Sequence, residues 1–460
     1  MNIILNKTQI DNPIIESFAD FFKRFGMSKI LRRCGSVKKF GVSASIVFLF
    51  ILGLVFENKK FSTLTRYYDE KMPFGKDVVY RYLGQLNVNW ERMVFLTASA
   101  VIPEIKKLTS AERKNALIFD DTTQYRNRSK NVEMLARCHD HVENKYYKGH
   151  TLLTMGWTDG QSFVPADYRV LSASDDKNLL HGSDFLEDNR TITTRRRKDA
   201  RRGKPALILD MLRNVKGSNA DSQYVMFDSW FSSPSLILQI CALDFDVVSR
   251  LKNDKTKYLH NGEMMNLKKI YSDNRKRCGR AKYLLSVDIE ISHKDHGTIP
   301  ARVVFVRNKN KRSEWIALVS TDLSLNEEEI IALYGKRWDI EVFFKVCKSF
   351  LKLGKEFQCR SFDSTSALVA IVFIRYMKLA VESRENRDAR SLGELFIYCT
   401  KELEDISFNH SIALLLEIFA NYMRDTLCLS NKFISSAIDD FVSSLSCVFA
   451  GSGLVNWCES

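Results

Sequence analysis

The chain has 460 residues, 45% of them hydrophobic, with only 7 Pro and 20 Gly; this excludes a disordered or linker-dominated polypeptide and predicts two or three folded, helix-rich domains. Lys and Arg number 69 against 55 Asp and Glu, a formal net charge of +14, which suits a polyanionic partner such as nucleic acid. The 10 cysteines are scattered with no Cys-x-x-Cys pair, and the chain opens without a charged-then-apolar leader, so a reduced, cytoplasmic setting is expected rather than a disulfide scaffold.

Residues 1–110 read as helices at Ile14–Phe25, Ala44–Phe56, a segment near Leu64, Asp77–Leu86 and Trp90–Leu108. The most apolar run, Ile46–Phe56, is too short to span a bilayer and is closed by Glu57-Asn58-Lys59-Lys60; a buried helix and no membrane contact are expected. Tyr80, Arg81 and Tyr82, with the basic stretch from Lys23-Arg24 through Arg32-Arg33 to Lys38-Lys39, suit either a helical domain that grips a DNA groove or a packing domain with a basic exterior.

Residues 115–250 alternate strands and helices. Ala116-Leu117-Ile118-Phe119 runs into Asp120-Asp121-Thr122-Thr123, and Tyr224-Val225-Met226-Phe227 runs into Asp228-Ser229-Trp230-Phe231. Both read as short buried strands that end in an acid. Between them lie strands at His150–Trp157 and Phe163–Leu171 and a helix at Ala206–Asn214; beyond lie a helix at Pro234–Ala242 and a strand at Phe245–Leu251. Cys138-His139-Asp140-His141 has ligand-type residues but no second pair at zinc-site spacing, so no metal is assigned to it. From Leu180 to Lys204 the chain is polar and densely basic, with Arg190, Arg195-Arg196-Arg197-Lys198 and Arg201-Arg202; an exposed loop that meets phosphates is expected.

From about Asn253 to Leu323, alternating segments at Tyr283–Ile291, Ala301–Arg307 and Trp315–Ser320 predict an antiparallel β insertion. Tyr334 to Lys348 then reads as one basic helix, with Trp338, Val342, Phe343 and Val346 as its buried stripe. Arg337, Glu341, Lys345 and Lys348 would share one face. A long apolar helix at Thr365–Val381 and further helices over Leu392–Cys447 follow, with Leu414-Leu415-Leu416 to Phe419 expected in a core. Two strand-end aspartates and one helical glutamate are the parts needed to hold a pair of Mg²⁺ ions for phosphoryl transfer.

Tyr334, Arg337, Glu341 and Lys348 resemble the Tyr-Arg-Glu-Lys signature of DDE-type bacterial insertion-sequence transposases of the insertion-sequence-four family. Asp121-Thr122-Thr123 looks like that family's first acidic motif and Asp228-Ser229-Trp230-Phe231 like its second, over residues 115–350. The resemblance implies an α/β fold: a ribonuclease H-like core with a mixed five-stranded sheet and flanking helices, interrupted by a β-rich insertion, with helical N-terminal and C-terminal regions. It implies a DNA-end-binding domain at 1–110, a catalytic core at 111–350 with the insertion at 253–323, and a helical region at 351–460.

By resemblance, Asp121, Asp228 and Glu341 would be the catalytic metal ligands for two Mg²⁺, with Mn²⁺ as substitute. Strand alternation sends Asp120 and Asp121 to opposite faces, and the Asp-Thr-Thr match favours Asp121, with Asp120 as the fallback. Tyr334, Arg337, Lys345 and Lys348 would hold the DNA strand, and Trp315 would stack on a flipped base, an interaction worth roughly 1 to 3 kcal/mol. The implied partners are double-stranded DNA, as terminal inverted repeats and target, and a second copy in a synaptic dimer, in a bacterial cytoplasm. A nuclease of the same fold and a catalytically inactive or domesticated DNA-binding relative are the alternatives.

Overall fold

In a computed structural model of the protein, the residues described are 13–385 apart from 39, 58–60, 62–64, 66–73, 111–112, 141–143, 184–187, 189, 275–282 and 309–313, together with scattered residues between 419 and 438. The expected helix near Leu64 and nearly all of Leu392–Cys447 lie outside the described residues. The chain divides into two compact units, one of Met1–Asp20, Leu49–Pro73 and Arg390–Ser460, the other of Phe21–Phe48 and Phe74–Ala389. In the first, Phe18 packs on Phe56 at 5.5 Å. The sheet and the candidate site belong to the second.

The N-terminal helices are α1 (Pro13–Arg24), α2 (Met27–Arg33), α3 (Ala44–Gly53), α4 (Lys76–Leu83) and α5 (Trp90–Lys107). The short α2 is not apparent in the periodicity, because seven residues give barely two turns. Asn89 caps α5 by accepting from Arg92 N–H at 2.9 Å, and its buried side carries Trp90, Met93, Val94, Val101 and Ile105. The apolar α3 continues into a 3₁₀ turn, Leu54–Glu57.

The fold is mixed α/β, with one large mixed sheet and flanking helices, compatible with a ribonuclease H-like arrangement. Its first half holds β1 (Ala116–Tyr125), β2 (Leu135–Asp140), β3 (Lys145–Thr158), β4 (Phe163–Leu171) and β5 (Leu179–His181), then β6 (Tyr224–Phe227) and β7 (Asp246–Leu251). β4, β3, β1, β6 and β7 lie side by side in that order; β3 is antiparallel to β1 and β4, while β1, β6 and β7 are mutually parallel. Because β1, β6 and β7 are covered on both faces, they read as near-continuous apolar runs, whereas the solvated strands of the insertion alternate.

The sheet does not end at β7. The segment read as a β insertion supplies β8 (Lys257–His260), β9 (Glu263–Asn266), β10 (Leu285–His293), β11 (Gly297–Arg307) and β12 (Trp315–Ser320), with a helix α9 (Leu267–Asn274). β12 pairs antiparallel with β7 from Ala317↔Leu251 to Ser320↔Val248, so these strands prolong the central sheet. The described strands form one sheet of 12.

The basic run is a correction to the sequence reading. Thr191 caps a helix, α6 (Ile192–Asp199), by accepting from Thr194 N–H, and Arg196 and Arg197 are buried rather than spread over a solvated loop. Arg196 makes a two-pronged contact with Glu91 of α5, at 2.7 and 2.9 Å, and also pairs with Asp363. Arg197 grips Glu133 at 2.5 and 2.7 Å and meets Asp363 at 2.7 Å. Two buried cations facing three carboxylates are tolerable where a lone buried cation is not, which is why so basic a helix can pack inside. Although burial pushes Glu91 up, Arg196 holds it down at about 2. Arg195 and Lys198 stay on the surface.

The remaining helices are α7 (Lys204–Val215), α8 (Pro234–Cys241), α10 (Glu327–Gly335), α11 (Trp338–Ser349) and α12 (Phe362–Glu385). Of the described helices, α12 alone is long and apolar enough to cross a membrane, and that apolar stretch is fully buried within the protein.

Candidate active site

β1 is longer than its apolar core. It does not stop at an acid but runs through Asp120 and Asp121 to Tyr125, because β3 keeps pairing with it from Asp120↔Thr154 to Tyr125↔Gly149. Its parallel partner β6 ends at Phe227, opposite Phe119. Asp120 and Asp228 are therefore the next residues on two adjacent strands, and side chains at matched positions project to the same face. Asp121 points to the other.

The electrostatics follow that division. Burial pushes the Asp120 carboxyl up to about 7, and the charges of Asp121 and Asp228 add to the rise; Asp121 N–H, donating to Asp120 Oδ1 at 2.8 Å, and Arg337 oppose it. Asp121 instead meets Lys204 Nζ at 3.1 Å. Lys204 in turn lies over the ring of Trp230 at 4.2 Å, and this indole is 51% exposed. Asp228 is fixed by its turn: its carboxylate accepts from Ser229 N–H at 2.6 Å and its carbonyl from Phe231 N–H at 3.0 Å.

The stretch from Tyr334 to Lys348 is two helices rather than one. Tyr334 is in the last turn of α10, whose start carries a capping box between Asn326 and Glu329, and the chain resets over Lys336-Arg337 before α11. Lys336 causes the reset, reaching back to the carbonyls of Lys114 and Asp159, beside the ends of β1 and β3. Thr158 Oγ1 donates to Asp339 at 2.6 Å and locks the first turn of α11 to β3.

The buried stripe of α11 also differs from the expected one. Ile340, Phe343, Phe344, Val346 and Cys347 face inward, with Phe343 against Phe163, Phe373 and Tyr376, while Trp338 (61% exposed) and Val342 (42%) face outward. The reset after Lys336 turns the helix so that the aromatic pocket under β4 takes Phe343.

Here Arg337 lies within electrostatic reach of Asp120 and Asp228, with Glu341 held against it. Arg337 Nη2 pairs with Glu341 Oε1 at 2.5 Å and its guanidinium lies 5.7 Å from the Tyr334 ring centre. Burial opposes its charge, but Tyr334, Glu341 and Asp228 together hold its pKa above the ordinary value. Tyr334 is pushed up to about 12 by burial, with Asp228 adding and Arg337 and Arg250 opposing. Arg250, one residue beyond the Ser249↔Phe227 pair, stands level with Asp228. Arg250 carries no signal in the sequence and is brought here by register; Lys204, the end of the basic run, reaches Asp121 from the first turn of α7.

Asp120, Asp228 and Glu341 are thus grouped about Arg337. Among the described residues no three His, Cys, Asp or Glu side chains are gathered tightly enough to hold a metal ion, and Glu341 is engaged by Arg337. The donor set itself, two carboxylates on one face and a third held by an ion pair, suits a hard divalent cation. Lys345 is exposed on α11 and Lys348 half-buried. Trp315 is half-buried between Tyr271 and Phe305, at 5.3 and 4.9 Å.

The family model for DDE superfamily endonucleases matches residues 53–312, more than half of the 460-residue chain. The chain belongs to that superfamily. No curated protein matches it. The matched region spans both aspartate-bearing strands and stops before α10 and α11. For this DDE superfamily endonuclease, a nuclease or transposase type of function follows, with DNA as substrate; enzymes of the superfamily generally use divalent metals.

Proposed function

We propose that this endonuclease is an insertion-sequence transposase of the insertion-sequence-four type, which binds the terminal inverted repeats of its element, cleaves at the ends and joins them to target DNA. The observation that carries the reading is the grouping of Asp120, Asp228 and Glu341 about Arg337, with Tyr334 beneath it. In this reading Asp120 and Asp228 are the sheet-borne metal ligands and Glu341 the helix-borne one. Asp121, favoured by the Asp-Thr-Thr resemblance, would need to exchange Lys204 for a place on the opposite face. The strand order β4-β3-β1-β6-β7 supports a ribonuclease H-like five-stranded core within the larger sheet.

Two bound Mg²⁺ ions, replaceable by Mn²⁺, would activate the attacking oxygen and stabilise the leaving one. The protein's own part is to orient. Release of Glu341 from Arg337 completes the carboxylate set, and the freed guanidinium offers a two-pronged donor to a phosphate beside the scissile bond. Tyr334 supplies a protonated hydroxyl and a ring face, while Lys348 and Lys345 extend the cationic face of α11 along the strand. Trp315 would stack on a displaced base from the edge of its aromatic cluster. Strand joining in a synaptic dimer, in the cytoplasm, completes the reading.

The test is Mg²⁺-dependent cleavage of a labelled duplex carrying the element's terminal repeat, with wild type beside Glu341→Ala at fixed salt. A cut at the repeat boundary that vanishes in the variant and is followed by joining to a second duplex supports transposition. Cutting without joining would leave a nuclease, and tight binding without any cut would leave a DNA-binding relative.

A further inference from the structure

Beyond Tyr125 the chain turns through Arg126-Asn127-Arg128-Ser129-Lys130, and the segment Gln358-Cys359-Arg360, between α11 and α12, lies against this turn. Together they wall a cleft of about 670 Å³. Cys359 and Val132 are its buried members; Arg126, Arg128, Lys130 and Arg360 supply its charge, and no carboxylate lines it. Its two walls are tied together. Arg126 Nη1 donates to Gly354 O at 3.0 Å, and Glu133 N–H donates to Arg360 O at 2.9 Å. The cleft is therefore a built feature of the fold.

Its charge is not balanced from within. Arg126 Nε is buried with no hydrogen-bond partner, and burial lowers the pKa of this guanidinium. The neighbouring carboxylate, Glu133, is already taken by Arg197. A partly buried guanidinium with a vacant donor is costly unless an anion meets it. Four cations spread along an open cleft suit a chain of phosphates better than one compact phosphate.

We infer that this cleft is a second contact for the phosphodiester backbone of the duplex whose scissile phosphate lies at Asp120 and Asp228. The inference rests on the reading of that site as a DNA phosphoryl-transfer centre. Arg126 follows Asp120 by six residues of extended strand, roughly 20 Å. At about 3.4 Å per nucleotide along the duplex, that is about six base pairs from the cut.

The experiment measures binding, in EDTA, of terminal-repeat duplexes truncated from either side of the cleavage position in two-base-pair steps. Wild type is compared with the Arg128→Ala, Lys130→Ala, Arg360→Ala triple variant, which leaves Arg126 and its bond to Gly354 in place. Wild type should gain about tenfold or more in affinity once the duplex reaches about six base pairs past the cut. The triple variant should lack that step, and its log–log salt slope should fall by about 2.7, or 0.9 per lost phosphate contact.

A variant that keeps the step and the slope, or that weakens equally at every length, overturns the inference. So does displacement of the long duplex by millimolar pyrophosphate that the triple variant abolishes without any length dependence, since the cleft would then be a compact-phosphate site. Mg²⁺-dependent cleavage of the longest duplex by wild type is read in parallel. Its absence alongside an intact length step would strike the catalytic reading and leave the cleft; its presence with no length step would do the reverse.

Discussion

Asp120 and Asp228 stand side by side because the parallel pairing of β1 and β6 closes on Phe119 and Phe227, leaving the two acids at matched positions on one face of the sheet. Asp121, one residue on, is committed to Lys204 at 3.1 Å. Asp120→Asn should therefore reduce Mg²⁺-dependent cleavage about a thousandfold or more, in common with Asp228→Asn and Glu341→Gln, because each removes a donor to the metals. Asp121→Asn should cost about tenfold at most, through the Lys204 contact. Single-turnover cleavage rates for the four variants, with duplex binding as control, check the assignment. A reversed order of Asp120 and Asp121 would move the ligand to the other face.

The 2.5 Å pair between Arg337 and Glu341 sets a competition between the guanidinium and a metal for one carboxylate. Arg337→Ala should tighten Mn²⁺ binding by several-fold in the absence of DNA, yet slow cleavage, since the phosphate contact is lost with the competitor. Titration followed by electron paramagnetic resonance reads the first effect, and turnover the second. Chelation of the metal should abolish cleavage while leaving duplex binding nearly unchanged.

Asp363 has no exposed side-chain surface and is shared by Arg196 and Arg197. Asp363→Ala leaves both guanidinium groups buried with part of their partners gone, at a cost of about 3 to 5 kcal/mol. Arg195→Ala, on the exposed side of the same helix, should stay within about 0.5 kcal/mol of wild type. Chemical denaturation distinguishes these from a DNA-contact role, in which Arg195 and the buried pair would all alter binding and none would alter stability.

His150 is buried on β3, and burial, with Arg126 beside it, lowers its pKa from the ordinary 6.5 to about 4. The unfolded chain takes up a proton first as pH falls, so this residue's contribution is whole above about 6.5 and is lost as pH falls through 6.5 toward 4. At pH 5 the loss from this group is about 2 kcal/mol. Unfolding free energies at pH 7.5 and 5 should show that drop in wild type and a smaller one in His150→Gln.

The sequence by itself determined the things that depend on local pattern. The apolar runs before Asp120 and Asp228, the alternation in β10 to β12, the helical pattern of α5, the long apolar run of α12, and the Tyr334, Arg337, Glu341, Lys348 motif could all be read without coordinates, because each is fixed by which neighbours a residue has along the chain. The tertiary structure decided what depends on neighbours in space. Which of Asp120 and Asp121 faces Asp228 follows from the register with β6, and a register is a property of two strands.

The burial of Arg196 and Arg197 could not be read from a basic run whose carboxylate partners, Glu91, Glu133 and Asp363, lie 64 to 167 residues away in the chain. The break before α11 depends on two carbonyls that Lys336 reaches at the ends of other strands. Beyond that break Phe343 turns inward, Trp338 stays outside, and Arg337, paired with Glu341, comes within reach of the aspartates. Sequence supplied the functional groups; pairing register and side-chain reach across the fold decided which of them meet.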